Sequence, residues 1–362
     1  MTSGSFVFFM KAINSGKNYY IELERFIACF CIVLFHADIM PLGWTFVEFF
    51  YILTGVFTMQ HMQKIRYRNP VEERWYPFSY VWSKIKRLLP YTTLGIMMIW
   101  VNTAFAWKLT GTALLKWILY LPANLLLLSG FGVVPFEIEL RDGLMTPPYI
   151  NPQLWYIACM IPALIILVLL LQHMKKSKVF VLTILPLILF GLLIAVDGTV
   201  AGWHKGTFGI FGLDMRALGG MLIGVDVWYL KEWLKKKSFS SKIKLLFTIV
   251  EVVSFFGVFA YAWFLEQPFD IVSTLLFVLS ATLTLSGQTY TAKLNFRIFG
   301  FLGRLSIPIY CLQLGFAEIV GNRFSGIAGT LVKGVGLFVF CVICYLVIEG
   351  IRKKIHRKDK AI

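Results

Sequence analysis

Long apolar runs separated by short polar segments dominate the pattern of hydrophobic and polar positions along this chain. The runs are continuous rather than alternating, which favours spanning helices over the strands of a β-barrel. Windows of about 18 to 22 apolar residues predict an all-α integral membrane protein, a bundle of about ten transmembrane helices. The predicted spans are 20–40, 44–63, 88–107, 152–173, 178–197, 213–231, 244–265, 270–288, 299–320 and 327–350.

One further apolar stretch, 112–130, is shorter and is interrupted by Lys116, Pro122 and Asn124. The distribution of charge decides its role. If 112–130 does not cross, the clusters of lysine and arginine between the spans all lie on one side, which the positive-inside rule makes cytoplasmic. We therefore expect 112–130 to be a re-entrant or interfacial segment on the outer side, and both termini to be cytoplasmic.

The composition agrees with a membrane protein. Hydrophobic residues make up 58% of the chain and charged residues 15%, with a mean hydropathy of +0.73; soluble domains average about 45–50% apolar and about 25% charged. The net charge of +16 could indicate a nucleic-acid partner. Its clustering between spans instead indicates orientation and attraction to anionic lipids, so we expect no nucleic acid. We also expect no cleavable signal peptide and no metal site.

The first predicted span carries Arg25, His36 and Asp38, although an ionisable residue at the centre of a span costs about 2.5 to 3.5 kcal/mol. Arg25 and His36 are eleven positions apart, which places them on one helix face about 16 Å apart, while Asp38 faces elsewhere. Arg25 could be an interfacial anchor and His36 a buried histidine that bonds another helix. Together they favour a functional site, because a guanidinium suits phosphate and an imidazole accepts protons near neutral pH.

Three other residues in or near the spans are candidates for substrate contact. Glu48 lies early in the second span and could orient His36. Arg216 could contact a carboxylate or a sugar, or form an ion pair with Asp214, and we favour the ion pair. Trp155 could stack on a sugar, or it could belong to an interfacial tryptophan belt.

Four segments resemble the membrane acyltransferase-3 family, which comprises bacterial integral-membrane enzymes, many of which O-acetylate cell-surface polysaccharides. The pattern R-x10-H in the first span resembles the family signature. Three later segments resemble its aromatic run, its basic segment before the third span and its late motif; they are Phe46–Phe57 (FVEFFYILTGVF), Phe78–Thr93 (FSYVWSKIKRLLPYTT) and Leu302–Gln313 (LGRLSIPIYCLQ). The resemblance extends over about 20–350 and implies a single integral-membrane acyltransferase domain, 1–362, without a soluble domain.

Two positions depart from the family pattern. Gln313 stands where the late motif commonly ends in histidine, and Met160 stands where many relatives carry glutamate. Any role of that histidine or glutamate in relatives is therefore not carried over to this chain.

The resemblance implies O-acyl transfer in a bacterial inner (plasma) membrane, with an acyl-CoA, most often acetyl-CoA, as donor substrate and no tightly bound cofactor. Arg25 and the predicted basic loop 64–87 would bind the CoA phosphates. Lys84 and Arg87 are favoured within that loop because they match the family, although its charge could also be ordinary positive-inside charge. His36 would be the general base that deprotonates a hydroxyl of a glycan or lipid-linked sugar.

Two other functions are compatible with many spans and a few intramembrane charges. One is a transporter or flippase of lipid-linked saccharide, and the other is a non-catalytic assembly factor in which His36 is dispensable. We find no internal repeat of the kind that builds inverted-repeat transporters. The sequence leaves open the acceptor, the acyl group and a direct or acyl-enzyme route; the outer segment 131–151 is expected to select the acceptor.

Overall fold

A computed structural model describes residues 18–65, 67, 69–131, 139–141, 143–147, 149–173, 178–202, 211–264, 270–321 and 326–358. Helices dominate these residues, which confirms the all-α class. The α-helices are α1 (Tyr20–His36), α2 (Val47–Met62), α3 (Pro70–Ala106), α4 (Gly111–Leu125), α5 (Trp155–His173), α6 (Lys178–Asp197), α7 (Phe211–Lys235), α8 (Ser241–Phe264), α9 (Asp270–Ser286), α10 (Arg297–Val320) and α11 (Gly326–Lys358). Short 3₁₀ turns lie at Gly43–Phe46, Leu128–Phe131, Pro152–Leu154 and Tyr290–Lys293, and an antiparallel ribbon pairs β1 (Glu139–Arg141) with β2 (Leu144–Met145).

Each apolar run predicted to span overlaps one of these helices, and the extra segment 112–130 overlaps α4. Within the described residues, five helices are long and apolar enough to cross a membrane: Pro70–Ala106, Pro152–His173, Ser241–Phe264, Arg297–Val320 and Leu331–Ile355. The count of ten crossings, the cytoplasmic termini, the re-entrant role of 112–130 and the single domain stay predictions. The residues at the two ends, 1–17 and 359–362, lie outside the described part of the chain.

The prediction of a basic loop over 64–87 is wrong, because α3 already begins at Pro70. The local sequence explains this start. The side chain of Asn69 accepts a hydrogen bond of 2.8 Å from the backbone N–H of Glu72, as an N-cap does. Pro70 occupies the first turn, where its missing N–H costs nothing, and Glu72 and Glu73 favour the positive end of the helix dipole. The 37 residues of α3 extend about 55 Å.

The chain divides into two compact units. The first comprises Met1–Trp82 and Cys159–Arg304, and the second comprises Ser83–Ala158 and Leu305–Ile362. An aromatic cluster fills part of the first unit, with ring centroids 5.2 to 6.2 Å apart; it consists of Phe46, Phe49, Phe255 and Phe277. These rings pack the start of α2 against α8 and α9, and so fix the end of α2 that carries Glu48.

Glycines bring α2 and α7 into close contact in the first unit. A methyl group at Gly55 would overlap the carbonyl oxygen of Met221, and one at Gly224 would overlap that of Ile52. A methyl group at Gly220 would lie 2.8 Å from the Cβ of Tyr51. Small residues spaced by four allow helices to pack closely, and α2 and α7 do so here. This contact places charged side chains of the two helices within bonding distance.

In the second unit, α3 and α4 exchange hydrogen bonds through two indoles. Trp100 donates to the carbonyl of Trp117 at 3.1 Å, and Trp117 donates to the carbonyl of Trp100 at 3.0 Å. Asn124 near the end of α4 accepts a bond of 2.9 Å from the backbone N–H of Ile150, and Asn151 donates to the carbonyl of Cys311 on α10. These bonds hold the segment before α5 in place.

Candidate functional site

His36 is the last residue of α1, so the predicted span 20–40 ends four residues early as a helix. The backbone N–H of Asp38 bonds the carbonyl of Phe35 at 3.0 Å, and that of Ile39 bonds Leu34 at 2.9 Å. These two bonds form a Schellman cap, in which Asp38 takes the left-handed conformation with a φ of +56°. Glycine usually fills this position, but aspartate adopts the left-handed region more readily than most other residues.

The cap leaves the His36 side chain exposed on the protein surface, with its ring 5.0 Å from that of Phe35. It also turns the chain, so Asp38 lies beyond the helix and the helical spacing used to predict its direction does not apply. The Asp38 carboxylate is near enough to interact electrostatically with the His36 imidazole. An accessible imidazole next to a carboxylate can accept a proton from a bound group.

Arg25 lies on the same helix as His36, as predicted, about 16 Å along its axis. Its guanidinium pairs with Glu22 at 2.6 Å, and both side chains are 23% exposed. Space for Glu22 comes from Gly303 of α10, where a methyl group would overlap the Glu22 carboxylate. Arg25 is therefore a partly exposed cation whose present partner an anionic ligand could replace.

Arg216 pairs with Glu48, so the predicted ion pair with the neighbouring Asp214 is wrong. Both side chains of the pair are fully buried, and the guanidinium lies 4.9 Å from the ring centre of Trp44. Asp214 instead bonds the thiol of Cys159. The preference for Asp214 rested on closeness in sequence, whereas the glycine contact between α2 and α7 places Glu48 opposite Arg216.

A hydrogen-bonded turn fixes the Glu48–Arg216 pair. Arg216 also donates to the carbonyl of Ala201 at 3.0 Å. The turn before Ala201 is held by Asp270, which accepts bonds from the Thr199 hydroxyl and from the N–H of Val200. The Glu48 carboxylate thus has a partner that sequence reasoning missed. Whether Glu48 orients His36, and whether either member of the pair contacts substrate, stay predictions.

Lys84 and Arg87 lie on α3 in the second unit, one turn apart. Lys84 is half-buried, and Arg87 is exposed. Sequence reasoning missed Arg352 of α11, which donates a bond of 2.7 Å to the backbone carbonyl of Arg87 and pairs with Glu349 at 2.6 Å. Arg352 belongs to a run of basic residues near the C-terminus, and nothing in its local sequence distinguishes it from the others. Three cations of this unit are thus candidates for binding phosphate.

Trp155 lines a small cleft in the second unit, together with Tyr149, Asn151, Asn124 and Ser129; its volume of about 20 Å³ is room for about one water molecule. Asn151 is 4% exposed, and its side-chain oxygen makes no hydrogen bond to any residue that the structure describes. Aromatic rings with amide groups suit a sugar, which offers apolar faces and hydroxyls. Part of the predicted acceptor segment 131–151, namely 132–138, 142 and 148, lies outside the described residues.

The other two special positions of the sequence are buried. Gln313 of α10 donates to the carbonyl of Tyr310 at 3.3 Å, and its side-chain oxygen makes no bond within the described residues. Met160 of α5 is 7% exposed. Around both positions, as elsewhere in the described part of the chain, no group of three or more histidine, cysteine or acidic side chains could hold a metal ion.

Comparison with known proteins gives one match. A family model described as an acyltransferase domain matches residues 18–349, nearly the whole chain. No curated protein and no solved structure matches it. The match includes all the segments on which the sequence resemblance rests.

Proposed function

Because the chain belongs to the acyltransferase-3 family, we propose that it transfers an acetyl group from acetyl-CoA to a hydroxyl of a cell-surface glycan or lipid-linked sugar. The family match supports membrane acyl transfer and gives no support to the transporter or the assembly factor. The observation that carries the proposal is the accessible imidazole of His36 at the end of the helix that also carries Arg25.

In the proposed reaction, His36 takes the proton of the acceptor hydroxyl while the hydroxyl oxygen attacks the thioester carbonyl carbon. The new C–O bond forms, the C–S bond breaks, and the CoA thiolate takes the proton back from the imidazolium. A base of this kind contributes about 10²- to 10⁴-fold. Asp38 supports the role, because its carboxylate stabilises the positive charge that His36 gains in this step.

Two groups of cations support binding of the CoA phosphates. Arg25 is partly exposed, and its ion pair among the described residues is with a partly exposed carboxylate, which contributes about 0–1 kcal/mol. A phosphate can replace that partner through two parallel hydrogen bonds. The second group consists of Lys84, Arg87 and Arg352. Substitutions in one group leave the other intact, so each group can be tested separately.

The side chains of Trp155 and Asn151 support an acceptor with sugar character, although the cleft between them must widen to admit a sugar ring. Trp155 offers a face for stacking, and the buried oxygen of Asn151 can accept a bond from a sugar hydroxyl. Anionic lipids are proposed as further partners, in keeping with the net charge of +16, and the bacterial inner membrane is proposed as the location.

The test measures transfer of radiolabel from acetyl-CoA in membranes that contain the full chain. We expect His36→Ala to lower the maximal rate about 10²- to 10⁴-fold at every donor concentration. The matched control is His173→Ala, because His173 is also exposed and also ends its helix, α5. Arg25→Ala should raise the KM for acetyl-CoA and should be rescued by more donor.

Other outcomes would contradict the proposal. If His36→Ala and His173→Ala transfer label at the same rate, His36 is not the base. If the wild-type chain transfers no label but moves a lipid-linked saccharide across vesicles, the transporter is the better description.

A further inference from the structure

The first unit contains a second polar cluster, made of residues that the proposed reaction does not use. Glu24 of α1 is 2% exposed, and Glu251 of α8 is fully buried. The hydroxyls of two residues of α9 and two of the following turn bond these carboxylates; they belong to Ser280, Thr284, Thr289 and Thr291. The two carboxylates are close enough to repel each other.

The hydrogen bonds of this cluster do not neutralise it. One oxygen of Glu24 accepts from Ser280 at 3.1 Å and from Thr284 at 3.2 Å. Both oxygens of Glu251 lie within 2.6 and 2.8 Å of the Thr291 hydroxyl. Thr284 also bonds Glu251, but a hydroxyl has one proton and can donate to only one carboxylate at a time. Among the described residues, no ion pair brings a positive charge to either carboxylate.

A second observation points to a ligand. The other carboxylate oxygen of Glu24, Oε2, is buried and makes no hydrogen bond to any residue described by the structure. The ion pairs formed among those residues involve neither Glu24 nor Glu251. Tyr20, a described titratable group that interacts with both carboxylates, is itself a potential anion and cannot supply positive charge. Buried carboxylates persist when they are paired or bind a cation.

We propose that Glu24, Glu251 and the four hydroxyls bind a monovalent cation such as Na⁺. The cluster offers only oxygen atoms, which are the ligands that hard cations prefer. The described residues place no third acidic, histidine or cysteine side chain there. Two carboxylates could also balance a divalent ion, so the test compares Na⁺ with Ca²⁺ and Mg²⁺. This site is independent of the proposed acyl transfer.

The test measures thermal unfolding of the purified full chain by its tryptophan fluorescence, in Na⁺ against N-methyl-D-glucamine at equal ionic strength and fixed pH. We expect Na⁺ to raise the Tm of the wild type by a few degrees in a saturable manner. Glu24→Gln and Glu251→Gln should abolish that rise. Glu72→Gln, which changes an exposed carboxylate, is the matched control and should keep it.

A milder variant keeps the test decisive if the glutamine variants fail to fold. Ser280→Ala removes one hydroxyl and should shift the Na⁺ titration to about tenfold higher concentration. The proposal is overturned if Na⁺ has no effect on the wild type, or if only Ca²⁺ or Mg²⁺ stabilises it. It is also overturned if Glu24→Gln without Na⁺ is as stable as the wild type with Na⁺. A neutral side chain would then replace the ion, as expected if the two carboxylates share a proton and bind no cation.

Discussion

The end of α1 and the contact between α2 and α7 both place charged groups within predicted membrane spans, but they treat them in opposite ways. His36 ends its helix with its ring exposed, and Arg25 pairs with a carboxylate that is itself 23% exposed. Glu48 and Arg216 are fully buried, bonded to each other and braced by Trp44 and Ala201. An accessible group can change its partner during a reaction, whereas a buried pair keeps its partner.

The difference shows that charge in a span does not by itself identify a catalytic group. The Glu48–Arg216 pair joins two helices where glycines allow close contact, and its effect should appear first in stability. Substitution of His36 or Arg25 in α1 should change the kinetic constants before it changes stability. Measuring both stability and activity for each variant therefore distinguishes the two regions.

The largest effect is expected from breaking the buried pair. Glu48→Gln leaves the Arg216 guanidinium buried without its counter-charge, which costs about 3–5 kcal/mol. The Tm of thermal unfolding and the yield of folded protein in detergent should both fall. The double variant Glu48→Leu with Arg216→Met removes both charges and should recover most of the loss. If the single variant is as stable as the wild type, the pair does not hold α2 and α7 together.

A smaller effect is expected at the cap of α1. Asp38→Ala places alanine in the left-handed region, which costs roughly 1 kcal/mol relative to residues that tolerate it. Asp38→Gly should be at least as stable as the wild type, because glycine adopts this conformation freely. Thermal unfolding of the two variants measures the difference. Equal stability would show that the backbone at Asp38 relaxes out of the left-handed region.

The smallest effect on stability is expected for Glu22→Gln, because the partly exposed pair with Arg25 contributes about 0–1 kcal/mol. Under the proposed function, this change removes the carboxylate that competes with phosphate. The KM for acetyl-CoA should fall, by up to about fivefold for 1 kcal/mol, with kcat unchanged. A rise in KM would mean instead that Glu22 holds Arg25 in its binding position.

The sequence predicts the helices well because each is encoded by a continuous apolar run. It misses the end of α1, since the residues after His36 are still mostly apolar and Asp38 fills a position where glycine is the usual signal. It misses the start of α3, although Asn69, Pro70 and Glu72 form a recognisable N-terminal signal. The many charged residues on both sides of this signal are also typical of a loop between spans, which is why the helix start is missed.

The partners of the charged residues could not be predicted in the same way. Glu48 and Arg216 are 168 positions apart, and Glu24 is 256 positions from Ser280. Such pairs depend on which helices pack together, which no local pattern specifies. The cost of an isolated charge in a span does predict that Arg216 needs some acidic partner. The glycine contacts between α2 and α7 bring Glu48, and not Asp214, to Arg216.

The length of α3 has a mechanical consequence. Lys84 lies about 33 Å along the helix from Ala106, close to the roughly 30 Å thickness of the hydrocarbon layer. If that part crosses, the turns from Pro70 to Ser83 form an arm that extends about 21 Å beyond the hydrocarbon layer. A tilt of about 20°, typical of spanning helices, moves the end of this arm sideways by about 7 Å. Because Tyr76 and Tyr80 of this arm bond His61 and Thr58 of α2, a change in tilt would move the end of α2 together with the arm.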